Sequence, residues 1–260
     1  MLIHAWINPA LRKKKTLECP ICRSLIITCS YVLFGQLGQY LSITDQFISL
    51  IWVPTGISVA TLTIWGLRYW PAVFAGALLT SLAVAVDPLT AAWIATGGCA
   101  APVLGAYGLR TSSFFDNAFG RRTSVFILVA GFAAMLISST NGVAALYFNG
   151  YLDADMLLPV WMTYWIGDTL GVLIVAPVIL TATHGKWHSW CDDCSVAKFL
   201  GIVALFVLLT GLSFSNPLGF SVPPAVVYLP FPLLLWVSLR GGALVSALST
   251  LIVTGMALVF

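Results

Sequence analysis

Nine apolar runs, each about as long as a membrane-crossing helix, fill most of this 260-residue chain. A hydrocarbon layer of ~30 Å takes about 20 helical residues, because a helix satisfies its own backbone hydrogen bonds where water is absent. A composition of 60% hydrophobic and 8% charged residues also leaves too little polar surface for a soluble fold. The sequence therefore predicts an all-α polytopic membrane protein. The runs cover residues 25–43, 47–66, 69–86, 89–110, 124–148, 157–182, 197–214, 222–239 and 241–260.

The third, seventh and eighth runs are the shortest, and Pro230 and Pro232 interrupt the eighth. Proline removes a backbone donor and breaks or kinks a helix, so one full crossing can be replaced by a half-helix. The expected architecture is a bundle of about nine transmembrane helices, or eight and a half-helix. Residues 1–24 form a basic N-terminal segment, and residues 25–260 form one transmembrane domain.

The charged residues divide between the two sides of the membrane. With the N-terminus in the cytoplasm, all twelve Lys and Arg residues fall on the inner side. The outer loops then hold only acids, namely Asp45, Asp87, Asp153 and Asp155. This asymmetry follows the positive-inside rule and predicts a cytoplasmic N-terminus. An odd number of crossings, with an apolar run reaching Phe260, predicts that a last crossing has been cut away.

Asp168 is the one carboxylate deep within an apolar run. As the twelfth residue of the sixth run it lies roughly 16 Å below the outer surface. Trp161 and Trp165 precede it at helical spacing, so the three side chains share one stripe. Gly167 and Gly171 form a small-xxx-small pair on an adjoining face, where another helix can approach closely.

Two interpretations of Asp168 stay open. An intramembrane acid is a functional hypothesis by default, here a contact to a ligand or ion in a pocket reached from outside. It can equally join two helices through a hydrogen bond to a partner such as Asn141. Trp52 and Pro54 open the second run and shape either a pocket mouth or an ordinary helix start. The candidate ligand-binding residues are Asp168, Trp165, Trp161, Asn141, Trp52 and Pro54.

Two C-x-x-C pairs, Cys19 with Cys22 and Cys191 with Cys194, lie on the predicted cytoplasmic side. The first pair precedes the first predicted helix. Because that compartment is reducing, a four-thiolate zinc site or a redox pair is more plausible there than a structural disulfide. The pairs are far apart in sequence, so incidental cysteines are the alternative. We expect no resident cofactor.

Several motifs resemble the MASE1 family, the membrane-associated sensory domain of bacterial signalling proteins. They lie at residues 52–56, 66–71, 165–171 with Pro177 downstream, and 229–230 leading to 239–240. The resemblance covers residues 30–260. It implies a sensory input module of the bacterial inner membrane, placed before a histidine kinase, diguanylate cyclase or phosphodiesterase output. We expect no such output domain within these 260 residues.

The function expected from the sequence is therefore a sensor that couples a ligand or membrane state to a cytoplasmic output. The alternatives are a small-solute transporter or substrate-binding membrane subunit, and a scaffold. No residue pattern indicates catalysis. The expected partners are the lipid bilayer, a cytoplasmic output domain or protein, and a second copy of the chain in a homodimer, with no nucleic acid. A pocket with one acid and no base suits neutral or cationic ligands.

Overall fold

The computed structural model describes residues 19–40, 51–84, 86–111, 127 and 129–183, together with 204, 205, 208 and 248–252. This part of the chain is helical and has no strand. Short 3₁₀ turns at Leu67–Tyr69 and Ala154–Met156 precede the third and sixth helices, and a π-helical turn at Ala130–Ala134 precedes the fifth. The α-helices are α1 Pro20–Tyr40, α2 Val53–Trp65, α3 Trp70–Leu82, α4 Pro88–Thr111, α5 Met135–Phe148 and α6 Leu157–Thr183.

Four helical segments of the described part are long and apolar enough to cross a bilayer, which agrees with a multi-pass membrane protein. They contain α1, α4, α5 and α6. Nearly all of the last three predicted runs falls outside the described residues, although residues 204, 205, 208 and 248–252 are helical. The count of about nine crossings and the cytoplasmic N-terminus therefore stay predictions.

Helices α1 and α2 begin at other positions than the predicted runs. The first begins at Pro20 rather than at residue 25, so Cys22 lies inside α1 and not before it. The second begins only at Val53, because Pro54 suits the first turn, where its missing N–H is not needed. Just before α2, the backbone N–H of Trp52 donates to the carbonyl of Gly167, halfway along α6, at 2.9 Å. Helix α2 thus starts at mid-depth in the bundle.

Helix α2 is the centre of the described bundle. Ten of its thirteen residues are buried. Burial of its hydroxyl groups costs little free energy, because Ser58, Thr61 and Thr63 each donate to a carbonyl one turn back. Polar side chains inside α2 therefore remain compatible with packing on all sides.

Helices α2 and α6 touch through their backbones at two glycines. A Cβ added to Gly56 would overlap the carbonyl oxygen of Gly171, and a Cβ on Gly171 would overlap the carbonyl oxygen of Trp52. The expectation that another helix approaches the Gly167 and Gly171 face is confirmed. This contact fixes the position of α2 along α6.

Apart from Asp168, the charged residues of the described part lie at opposite ends of the bundle. At one end, the Arg23 guanidinium lies 5.7 Å from the centre of the Trp65 ring. At the same end, Arg110 donates to the carbonyl of Thr63 at 2.6 Å. We call this the basic end. At the other end, which we call the acidic end, the Tyr151 hydroxyl donates to Asp87.

Asp87 caps α4 at the acidic end. It accepts hydrogen bonds from the backbone N–H groups of Leu89 and Thr90 and from the Thr90 hydroxyl. The Thr90 hydroxyl is the largest of the causes that hold the pKa of Asp87 below its usual value. Such a carboxylate satisfies N–H groups that the first turn of a helix leaves unpaired.

We expect Asp87→Ala to lower the melting temperature of the detergent-solubilised protein at pH 7. Because the folded-state pKa is lowered, the stabilisation is present above about pH 4 and is lost as the pH falls through the folded-state value. The difference from wild type should therefore shrink in acid. Asp155→Ala, at an exposed carboxylate near the same end, is the control. Equal melting temperatures for wild type and Asp87→Ala at pH 7 would contradict the cap.

Candidate ligand-binding cavity

A cavity of about 240 Å³ lies between the helices on the acidic-end side of α2. Its lining combines apolar residues with a few polar and aromatic groups, as small-molecule sites do. Tyr151 and Asp153 lie where it reaches the acidic end, and Asp153 is exposed. The inner polar and aromatic groups are Tyr31, Trp52, Thr55, Ser138, Tyr164 and Asp168.

Asp168 forms the inner wall of this cavity and is only 1% exposed. The Thr55 hydroxyl donates to its Oδ1 at 2.6 Å. Its other oxygen, Oδ2, is buried and accepts no hydrogen bond from the described residues, although the Ser138 hydroxyl of the same lining lies close to the carboxyl group. An unsatisfied buried polar atom costs about 1–3 kcal/mol, and more when it is charged. The carboxylate thus holds one unused acceptor beside an open volume.

The N-terminal end of α2 contributes to the electrostatic environment of Asp168. Its first turn contains Thr55, so the N-terminal end of the helix lies beside the Asp168 side chain. Helix N-termini carry a partial positive charge, which favours a neighbouring carboxylate. A helix that began at the membrane surface would not place this end at mid-depth.

Two tyrosine side chains line the cavity and pack against glycines of neighbouring helices. The Tyr31 side chain packs on Gly76 of α3, and its hydroxyl lies near Gly98 of α4. The Tyr164 ring packs on Gly142 of α5. Sequence reasoning missed both tyrosines, and also Thr55. The available signal for Thr55 was its place within the motif at residues 52–56.

Trp161 and Trp165, predicted to share the pocket with Asp168, do not line the cavity. Their rings stack with centroids 5.8 Å apart. The Trp161 Nε1–H donates to the Thr140 hydroxyl at 3.0 Å, and the Trp165 Nε1–H donates to the carbonyl of Phe132 at 2.9 Å. The predicted stripe exists, but its indoles join α6 to the segment 130–148, whereas Asp168 contacts α2. A ligand-binding role for the indoles stays a prediction.

Asn141 is not the partner of Asp168, so that prediction was wrong. Its Nδ2 donates to the carbonyl of Trp93 at 2.8 Å, while the Trp93 Nε1–H donates to its Oδ1 at 3.1 Å. Gly97 lets the Asn141 side chain come close to α4, because a Cβ at position 97 would overlap the Asn141 amide. Thr55 takes the place beside the carboxylate instead.

Trp52 and Pro54 differ in their relation to the cavity. Trp52 lines the cavity, and its side chain is within hydrogen-bonding reach of Tyr31. Pro54 is buried in the first turn of α2, outside the lining, and its carbonyl accepts the Ser58 hydroxyl hydrogen bond. Of the six predicted residues, the structure thus brings Asp168 and Trp52 together at the cavity.

Cys19 and Cys22 are exposed free thiols at the start of α1. The backbone N–H of Cys22 is the main cause that lowers the pKa of the Cys19 thiol. Within the described part of the chain, no three His, Cys, Asp or Glu side chains are placed to hold a metal. Cys191 and Cys194 lie outside that part, so the zinc site stays a prediction.

Comparison with known protein families matches residues 22–260 to MASE1. The chain belongs to the MASE1 family. MASE1 is a membrane-associated sensory domain of signalling proteins, so this protein is a membrane protein of signal transduction. No curated protein and no solved structure gives a significant match. These findings agree with contact to the bilayer and with coupling to a signalling output, and they give no support to a homodimer.

Proposed function

We propose that this MASE1 domain senses a small ligand in the cavity beside Asp168 and passes the signal to a cytoplasmic output of the kinase or cyclic-di-GMP type. The proposal places the protein in a bacterial inner membrane, with the acidic end outside and the basic end in the cytoplasm. It assigns no catalytic step to this chain. Burial of Asp168 Oδ2 without a hydrogen-bond partner in the described part, at the wall of a cavity, carries the proposal.

Helix α2 connects the cavity to the basic end. At its first turn, Thr55 is hydrogen-bonded to Asp168. At its last turns, the Thr63 carbonyl accepts from Arg110, and the Trp65 ring packs beneath Arg23. A ligand that binds one position of α2 more tightly than another would therefore shift groups at the basic end. Such differential affinity is what any ligand-driven switch requires.

Filling the cavity tests the proposal without knowledge of the ligand. Gly98 lines the cavity, and a Cβ there would make only ordinary contacts, at 3.5 Å to the Tyr31 hydroxyl and 3.7 Å to Ala77. We expect Gly98→Leu, in the chain joined to a diguanylate cyclase, to change steady-state cyclic-di-GMP by at least about fivefold, as a coupled site does. The added side chain occupies the space that the ligand uses.

Ala100→Leu is the matched control, because Ala100 is on the same helix and exposed. It should leave cyclic-di-GMP at the wild-type level. Membrane insertion and melting temperature are measured for both variants. A Gly98→Leu protein that inserts and folds normally, yet gives wild-type output, would contradict the sensory role of the cavity.

A transporter is the second candidate. The observation in its favour is α2, which begins at mid-depth beside an acid, as the discontinuous helices of transporters do. It predicts uptake of a labelled solute into vesicles that contain this chain alone, and abolition of that uptake by Gly98→Leu. Output that changes in Gly98→Leu, with no uptake in wild type, favours the sensor.

A further inference from the structure

We infer that the cavity binds a small organic cation, a protonated amine of about ten non-hydrogen atoms, with its ammonium group at Asp168 Oδ2. The inference rests on the proposed function, because it names the ligand class of the same cavity. Its three observations are the charge of the lining, the open acceptor and the size and aromatic content of the space.

The charged side chains of the described lining are all acidic. Asp168 lies inside and Asp153 lies at the acidic end, and the lining of the described part holds no Lys, Arg or His. Asp87 adds a third carboxylate near the opening through its hydrogen bond to Tyr151. A cleft lined by one sign of charge concentrates ligands of the opposite sign. An anionic ligand would have to approach three carboxylates without a compensating base from these residues.

The unpaired Oδ2 of Asp168 favours a ligand that donates a hydrogen bond. Thr55 occupies Oδ1 and leaves Oδ2 unpaired within the described part. An ammonium group supplies both N–H donors and positive charge, and charge-assisted hydrogen bonds are about twice as strong as neutral ones. An alcohol of the same shape supplies a donor without the charge. The structure thus favours the cation over its neutral counterpart.

Aromatic rings surround the same space. Tyr31, Trp52 and Tyr164 all line the cavity with Asp168. A cation near the face of such rings is attracted by their quadrupole. Ile94, Leu146 and Val160 complete the lining with hydrocarbon, which suits the apolar part of an amine. The walls therefore match an amphipathic cation better than a bare metal ion, which needs several oxygen ligands.

The volume sets the size of the ligand. An apolar cavity of about 150 Å³ holds benzene, which has six carbon atoms. In proportion, a cavity of about 240 Å³ holds about ten non-hydrogen atoms. Phenethylammonium is of this size and joins an ammonium head to an aromatic body.

The test compares three probes of nearly equal shape, namely phenethylammonium, 2-phenylethanol and 3-phenylpropanoate. Binding to the protein in zwitterionic nanodiscs is measured by isothermal titration, with empty nanodiscs subtracted to remove partitioning into lipid. We expect the cation to bind wild type at least about tenfold more tightly than the alcohol, a ratio equivalent to about 1.4 kcal/mol. The carboxylate probe should bind least.

Asp168→Asn keeps the shape and the acceptor for Thr55 but removes the charge, so it should abolish the preference for the cation over the alcohol. Asp155→Asn, at an exposed carboxylate near the acidic end and outside the cavity lining, should change the cation affinity by no more than about threefold, because a solvated charge is screened. Gly98→Leu should prevent binding of all three probes. It provides the test of location if Asp168→Asn fails to fold.

Equal binding of cation and alcohol to wild type, or an undiminished preference in folded Asp168→Asn, would overturn the inference. Its failure is distinguishable from failure of the proposed function. If Gly98→Leu changes the signalling output while the cation shows no preference, the cavity senses a ligand of another class. If the cation binds as expected while Gly98→Leu leaves the output unchanged, the cavity binds amines without controlling a signal.

Discussion

Gly56→Ala is expected to disrupt the helix bundle strongly, because α2 and α6 meet at Gly56 backbone to backbone. The new Cβ would overlap the backbone carbonyl of Gly171 and would lie 2.7 Å from the Cβ of Val175. Neither group can rotate away as a flexible side-chain end does, so α2 must move off α6. That movement also breaks the hydrogen bonds from Thr55 to Asp168 and from Trp52 to Gly167.

Overpacking a well-packed core costs typically 1–3 kcal/mol. Because two buried hydrogen bonds are lost as well, we expect Gly56→Ala to lower the free energy of unfolding by at least about 3 kcal/mol. Reversible unfolding in mixed micelles measures this value, and size-exclusion chromatography shows how much protein remains monodisperse. A wild-type unfolding free energy would contradict the backbone contact between α2 and α6.

Gly98→Ala is the matched control, because its Cβ would meet no atom closer than 3.5 Å. It should change the unfolding free energy by less than about 1 kcal/mol, since replacing glycine in a helix by alanine even gains up to that amount. The contrast between the two variants separates the close helix contact from any general effect of removing glycine.

Thr55→Val is the second substitution with a large expected effect. Valine keeps the shape of threonine but cannot donate to Asp168 Oδ1, so neither oxygen of the buried carboxyl group would then have a hydrogen-bond partner among the described residues. Hydrogen bonds to charged groups contribute about 1.5–3 kcal/mol, and we expect a loss of that size in the free energy of unfolding. The same unfolding assay in mixed micelles measures it.

Two further variants make this prediction specific. Thr55→Ser restores the hydroxyl and should recover most of the loss. Thr63→Val, on the same buried helix, removes only a bond to the helix's own carbonyl at Val59 and should cost much less.

A double-mutant cycle with Asp168→Asn then isolates the pair. Thr55→Val should cost less in the Asp168→Asn background than in wild type, because the charged acceptor is already gone. Equal costs in both backgrounds would show that Thr55 stabilises α2 through packing rather than through the carboxylate.

Both substitutions act on α2, and its mid-depth start was not apparent from the sequence. The second apolar run is long enough to cross a bilayer, and the half-helix was expected in the third, seventh or eighth run. Pro54 indicated where a helix starts, but a proline in a first turn says nothing about depth. Depth was decided by the contact of Trp52 with Gly167 and by the two glycines that let the backbones meet.

The candidate site, too, could be predicted only in part from the sequence. Asp168 was recognisable because an acid is rare in an apolar run. Its true partner, Thr55, lies 113 residues away and carries no local sign of the pairing. Asn141 was the more polar candidate, yet its side-chain amide is hydrogen-bonded to Trp93 instead. Helical periodicity places side chains on a face of their own helix, but it does not say which neighbouring helix that face meets.

The sequence by itself determined the membrane environment, the opposite placement of acids and bases, the rare deep acid and the glycine face on which a helix packs. These features follow from local composition and spacing, which act on each helix separately. Only the tertiary structure decided that α2 starts inside the bundle, that Thr55 pairs with Asp168 and that the indoles face another helix. Those outcomes depend on close packing between segments distant in sequence, where a single Cβ determines which backbones can touch.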